Sequence, residues 1–126
     1  MRVNAIALGL ASVLWTAVAP PAAAADIPVV IELILAVDVS RSMDLDEQKL
    51  QRDGYVAAIT HPEVLAAILE GRQGKIALSY VEWAGSETQY TVVDWRLIDS
   101  PAAAGAFSAQ LAQAPIQQFR GTSISI

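Results

Sequence analysis

Hydrophobic positions along this chain fall into three regimes. From Ala5 to Ala19 the sequence is apolar apart from Ser12 and Thr16. From Val29 to Val37 it is apolar again, broken only by Glu32, and the run ends on Asp38. Beyond Asp38 the pattern switches between the helical period and the strand period. The Val29–Val37 run reads as a strand buried on both faces, the habit of a central strand in a parallel sheet. Next, Asp44-Leu45-Asp46-Glu47 is acid-rich, as a helix N-terminus prefers, and predicts a helix to about Thr60. Leu50, Gly54, Ala57 and Ala58 share one face of that helix, while Lys49, Gln51, Arg52 and Asp53 are its polar positions. Gly54 in mid-helix costs ~1 kcal/mol against Ala, which a close approach to the sheet would explain.

Pro62 suits a first helical turn, and Val64, Leu65, Ile68 and Leu69 form a helical stripe that stops at Gly71. A strand follows from Lys75 to Trp83. The turn Ala84-Gly85-Ser86-Glu87 leads into a second strand from Thr88 to Ile98, whose apolar members are Tyr90, Val92, Val93, Trp95 and Leu97. So short a loop implies antiparallel pairing. Asp99-Ser100-Pro101 is a capped helix start, with Ala104, Phe107 and Leu111 on one face and Pro115 as the stop. A polar loop, Phe119 to Ser123, comes last.

The first apolar segment reads as an export address rather than part of the fold. Arg2 supplies the positive start, Pro20-Pro21 closes the apolar run, and Ala22 to Ala25 offer small residues to a signal peptidase. The run falls short of the ~20 residues of a spanning helix. Residues 1–25 are therefore expected to be removed, leaving residues 26–126 as one domain, either periplasmic or secreted, with no membrane span. This segment inflates the 54% hydrophobic content. Removing it takes away one base of eight and none of the 13 acids, so the formal charge moves from −5 to −6. An acidic chain without a basic cluster argues against nucleic acid and anionic membranes as partners. With no cysteine, disulfide frameworks, thiolate zinc sites and cysteine nucleophiles are excluded.

Candidate chemistry sits at the end of the Val29–Val37 strand. Ligands gather at the carboxyl ends of strands in open α/β sheets, and Asp38, Ser40 and Ser42 stand there at alternate positions. One carboxylate and two hydroxyls form an oxygen-only set suited to a hard cation such as Mg²⁺. The same residues could instead cap the next helix.

The order of elements, the motif Asp38-Val39-Ser40-Arg41-Ser42 and the later Gly121-Thr122-Ser123 together resemble a von Willebrand factor type A domain. The phrases LQRDGYVAAI and YVEWAG further resemble an exported bacterial group of uncharacterised function built on that domain. The resemblance spans Val29 to Ile126. It implies an α/β fold, Rossmann-like and three-layered, of which the N-terminal half is expected here: about three strands with flanking helices. It also implies a metal-ion-dependent adhesion site, with Asp38, Ser40, Ser42 and Thr122 as metal ligands. Mg²⁺ is the implied ion, with Ca²⁺ or Mn²⁺ as alternatives, and a carboxylate from a partner protein is the implied last ligand. In that family the sheet continues past the threonine, and a third loop adds another aspartate. Neither is found before Ile126, so a fragment, a truncated gene product or half of a domain completed by another chain is expected, truncation first among them, with an open edge on the first strand.

Other constellations carry less. An aspartyl-phosphate enzyme would have an acid where Ser40 stands, and the serines lack a nucleophile-elbow glycine pattern. His61, the single histidine, is expected at the surface or as a cap. Tyr80, Trp83, Tyr90 and Trp95 are expected in core and cross-strand packing, Glu82 at the solvent or an edge, and Asp44, Asp46 and Glu47 as dipole complement. The reading is an exported, metal-dependent protein-binding module with no catalytic residues. The alternatives are a truncated product without independent function and a Mg²⁺-assisted hydrolase.

Overall fold

A computed structural model describes residues 25–40 and 42–117 of the chain. Residues 1–24, Arg41 and Thr122 lie outside the described residues, and with them the expected signal segment and one of the four expected ligands. Among the described residues the elements run β1 (Glu32–Asp38), α1 (Leu45–Ile59), α2 (Pro62–Leu69), β2 (Ile76–Trp83), β3 (Gln89–Ile98) and α3 (Pro101–Gln113). The result is a small α/β fold with a mixed sheet of order β1-β2-β3, compatible with part of a Rossmann-like fold.

Local chemistry sets these boundaries. Asp44 caps α1 in a full capping box: its Oδ1 accepts the Glu47 N–H at 2.8 Å, and Glu47 Oε2 accepts the Asp44 N–H at 2.9 Å. His61 Nδ1 accepts the Glu63 N–H at the start of α2, as its expected capping role requires. Ser100 Oγ accepts the Ala103 N–H at the start of α3, and Pro101 occupies the first helical position. Parallel strands need a crossover, which α1 and α2 supply between β1 and β2. The pair runs from Glu32↔Ala77 to Asp38↔Trp83, and the Val39 N–H continues it to Trp83 O at 3.0 Å. β2 and β3 are antiparallel, as the short loop implies. Gly85 adopts φ 73° in their turn, a left-handed conformation that glycine takes without strain.

Directly paired residues project to the same face of a sheet. Register therefore puts Leu33, Leu35 and Val37 beside Leu78, Tyr80 and Glu82. The helices cover this face. Tyr55 and Ile59 of α1 and Val64 and Ile68 of α2 line an apolar cavity of about 210 Å³ together with Leu33, Leu35 and Leu78. Ala104, Phe107 and Leu111 of α3 complete the core with Val93 and Ile98, all five fully buried. The Ser108 hydroxyl donates to Val56 O at 3.2 Å and locks α3 to α1. Among the described residues this makes two layers rather than the expected three. Ile34 and Ala36, on the opposite face, are exposed.

Several expectations are corrected. β1 is not buried on both faces: it is an edge strand among the described residues, with Val37 as its buried member. Among the described residues no strand pairs with its other edge, and an apolar cavity of about 410 Å³ lies between it and α2, lined by Val30, Ile31, Leu33, Val64 and Ile68. The inward face of α1 is Gln48, Arg52, Tyr55, Val56 and Ile59; Leu50 is 75% exposed, and Ala57 and Ala58 also face solvent. Among the described residues, nothing beyond its own chain neighbours and helix backbone comes within 4 Å of a methyl group built on Gly54, so close approach does not explain that glycine. Tyr80 is buried as expected and Trp83 half-buried, whereas Tyr90 and Trp95 are substantially exposed. Glu82, expected at the solvent or an edge, is buried.

Tyr80 is packed edge-to-face against Tyr55, with ring centroids 5.5 Å apart. Burial first, then the nearby Glu82 charge, pushes its hydroxyl pKa up to about 12. An unfolded tyrosine ionises near pH 10, so the folded state holds the proton over a range where the unfolded state has lost it. Stability from this group is complete below about pH 10 and is lost as the pH climbs towards about 12. Urea unfolding between pH 9 and pH 12 should show that alkaline decline, and Tyr80→Phe should flatten it.

Candidate functional site

Parallel pairing brings the carboxyl ends of β1 and β2 side by side, with Asp38 directly across from Trp83. The chain turns sharply after β1. Asp38 Oδ1 accepts the Ser40 N–H at 2.8 Å, and Ser40 O accepts the Met43 N–H at 3.0 Å. This folds the loop back on itself and brings two hydroxyls together, with Ser40 Oγ 3.2 Å from Ser42 Oγ. Ser40 is buried, Asp38 half-buried and Ser42 exposed, so the group opens to solvent on the Ser42 side.

Helix capping does not account for these three residues. α1 begins at Leu45, and Asp44 together with Glu47 supplies its cap. Asp38 instead fixes the loop's own backbone. The donor set also fits a small hard cation. The Ser40 and Ser42 hydroxyls hydrogen-bond each other at 3.2 Å, a spacing close to the about 3 Å between adjacent oxygens of a Mg²⁺ octahedron with bonds of about 2.1 Å. No group of three or more His, Cys, Asp or Glu side chains among the described residues could hold a metal. Ion binding at this loop would therefore rest on hydroxyls and one carboxylate. The structure brings together Asp38, Ser40 and Ser42; Thr122 lies outside the described residues.

Behind the loop is a buried polar group that the sequence analysis did not identify as functional. Gln48, Arg52 and Glu82 are each at most 4% exposed. One Arg52 amino group pairs with Glu82 at the end of β2, and the other donates to Ala114 O at the end of α3, at 2.6 Å. One turn earlier on α1, Gln48 Nε2 donates to Met43 O in the serine loop at 3.3 Å. Among the described residues Arg52 Nε, Glu82 Oε2 and Gln48 Oε1 have no hydrogen-bond partner. Two patterns in the sequence could have revealed this group. Residues 48, 52, 55 and 59 form a helical stripe once polar members are admitted, and Ile76, Leu78, Tyr80, Glu82 and Ala84 keep a strict strand period.

Removing one member of a buried ion pair strands the other charge away from water, at a cost of about 3–5 kcal/mol. Arg52→Ala should lose stability on that scale in urea unfolding. Lys49→Ala should lose far less, because Lys49 and Asp53 form an exposed pair worth ~0.5 kcal/mol.

No helix among the described residues is long and apolar enough to cross a membrane. Comparison with known proteins finds no match among curated proteins or solved structures. A family described as "Protein of unknown function (DUF1194)" matches residues 28–126, a span that begins just before β1 and takes in every described element. This chain belongs to the DUF1194 family.

Proposed function

We propose that this chain is an exported, Mg²⁺-dependent protein-binding module of von Willebrand type A character. The observation that carries the reading is the pair of serine hydroxyls 3.2 Å apart beside Asp38, at the carboxyl end of a parallel strand, in a loop whose residues are not needed to cap the next helix. The resemblance of Asp38-Val39-Ser40-Arg41-Ser42 and Gly121-Thr122-Ser123 to that family's adhesion site supports the same reading and adds Thr122 as a fourth ligand. Ca²⁺ or Mn²⁺ could replace Mg²⁺ on the same oxygens.

Neutral hydroxyls leave most of the charge of a bound cation uncompensated, and Asp38 balances only part of it. An ion held this way stays electrophilic and can take a carboxylate from another protein as a further ligand. The residues of this chain hold and orient it; none is required to move a proton. The N-terminal segment, read as a signal peptide, would deliver the module to the periplasm or the exterior.

Mg²⁺ at tenfold its Kd should stabilise the folded state by about 1.4 kcal/mol, a rise in Tm of roughly 6–11 °C for a domain of this size. Thermal unfolding of the form starting at Asp26 should show that rise, and Asp38→Ala should abolish it. Acetate, a probe for the partner's carboxylate, should raise Tm further with Mg²⁺ present and not with a chelator. A parent protein indifferent to Mg²⁺, Ca²⁺ and Mn²⁺ would overturn the reading.

A further inference from the structure

We infer that the cleft between β3 and α3 binds a small monocarboxylic acid with an apolar body, its carboxylate taken by Arg96. The inference is independent of the oxygen site. Register sets Arg96 directly across from Leu78 and two residues before Ile98. Directly paired residues share a face of the sheet, and Leu78 and Ile98 are both buried. A guanidinium thus stands where the strand period calls for an apolar core residue, and it remains exposed. The helix opposite makes room for it. Ala103, Ala106, Phe107 and Gln110 of α3 keep the helical spacing of one face, and with Arg96 and Leu97 they line a cavity of about 330 Å³. The two alanines leave space where longer side chains would close against β3, and Phe107 is the fully buried member of the lining.

The polar groups of this cleft are few and convergent, as in ligand sites, whose volumes begin near ~300 Å³. An Arg96 amino group donates to Gln110 Oε1 at 3.5 Å, longer than an ordinary N–H···O bond. Among the described residues Arg96 has no carboxylate partner. The ion pairs there are Lys49–Asp53 and Arg52–Glu82, and neither Asp94 nor Asp99, the acids nearest to Arg96 in sequence, comes within 4.0 Å of its nitrogens. The planar fork is left largely unfilled, and its geometry matches a carboxylate through two parallel bonds. Gln110 Oε1 faces the guanidinium, which leaves the amide hydrogens of Gln110 for the same ligand. No other side chain of the lining can donate. A head group with two oxygens is satisfied here, while the further oxygens of a phosphate would find no side-chain donor. The apolar body of the acid then covers the alanines and Leu97.

The test is an amide-shift titration of the isotopically labelled protein with hexanoate, its neutral counterpart hexanamide, and acetate. A chelator is present throughout, so that no cation at Asp38 takes part. Hexanoate should give saturable shifts at Arg96, Leu97, Ala103, Ala106 and Gln110. Hexanamide should bind about fivefold more weakly, the upper end for one exposed ion pair, and acetate, which lacks four methylenes, should also bind more weakly. Arg96 and Ala106 are exposed, so variants there keep the core intact. Arg96→Gln should bring hexanoate down to the affinity of hexanamide and leave hexanamide unchanged. Ala106→Leu, which fills the cleft, should weaken both. Absence of saturable shifts in the cleft, equal binding of hexanoate and hexanamide, or hexanoate binding to Arg96→Gln within twofold of the parent would overturn the proposal. Shifts of equal size around Arg72 and Lys75 would overturn it too, because they would report attraction to any positive charge.

Discussion

Arg52 of α1 and Glu82 near the end of β2 are opposite charges buried together, and removing either would strand the other away from water. Their pairing ties α1 to β2 across the crossover, and the second arm of the guanidinium adds the end of α3. This constraint decides which face of α1 turns inward. A helix rotated to bury Leu50 would swing Arg52 into solvent and strand Glu82 in the core. The exposure of Leu50 and the burial of Gln48 and Arg52 are one choice, made by the charge on β2. Tyr80 and Tyr55 pack beside it, so the aromatic core and the ionic pair share one wall.

Much of the fold could be read from the sequence. Alternation and turn chemistry placed all six elements, and the caps at His61 and Ser100 fell where those residue types predict. The first strand was harder. Its unbroken apolar run is the signature of burial on both faces, yet among the described residues β1 has one paired edge and an exposed second face. Composition reports what a strand is suited to, not how many neighbours cover it. The face of α1 was misread for a related reason: ranking positions by hydropathy sends Arg52 outward, while the period-two pattern of β2, which sends Glu82 inward, supplies the partner that reverses it.

The oxygen site was partly legible. Asp38, Ser40 and Ser42 stand out by spacing alone, but spacing could not separate ion binding from helix capping. The structure gives the cap of α1 to Asp44 and Glu47 and engages Asp38 within its own loop. Membership of the DUF1194 family covers residues 28–126, so the serine loop, the buried polar face of α1 and the Gly121-Thr122-Ser123 segment all fall within one family region. The function proposed for them rests on the resemblance of their motifs together with local chemistry. Parallel pairing sets the ends of β1 and β2 side by side, a tight turn brings two hydroxyls within hydrogen-bond distance, and a buried ion pair ties α1 to β2.

The most direct measurement of the central claim is the backbone amide spectrum of the isotopically labelled protein during a Mg²⁺ titration. The account predicts saturable shifts concentrated in Val39 to Met43 and in Gly121 to Ser123, two segments far apart in sequence, with Asp38→Ala removing both sets. Shifts confined to the acidic first turn of α1, at Asp44, Asp46 and Glu47, or no saturable shifts at all, would contradict it.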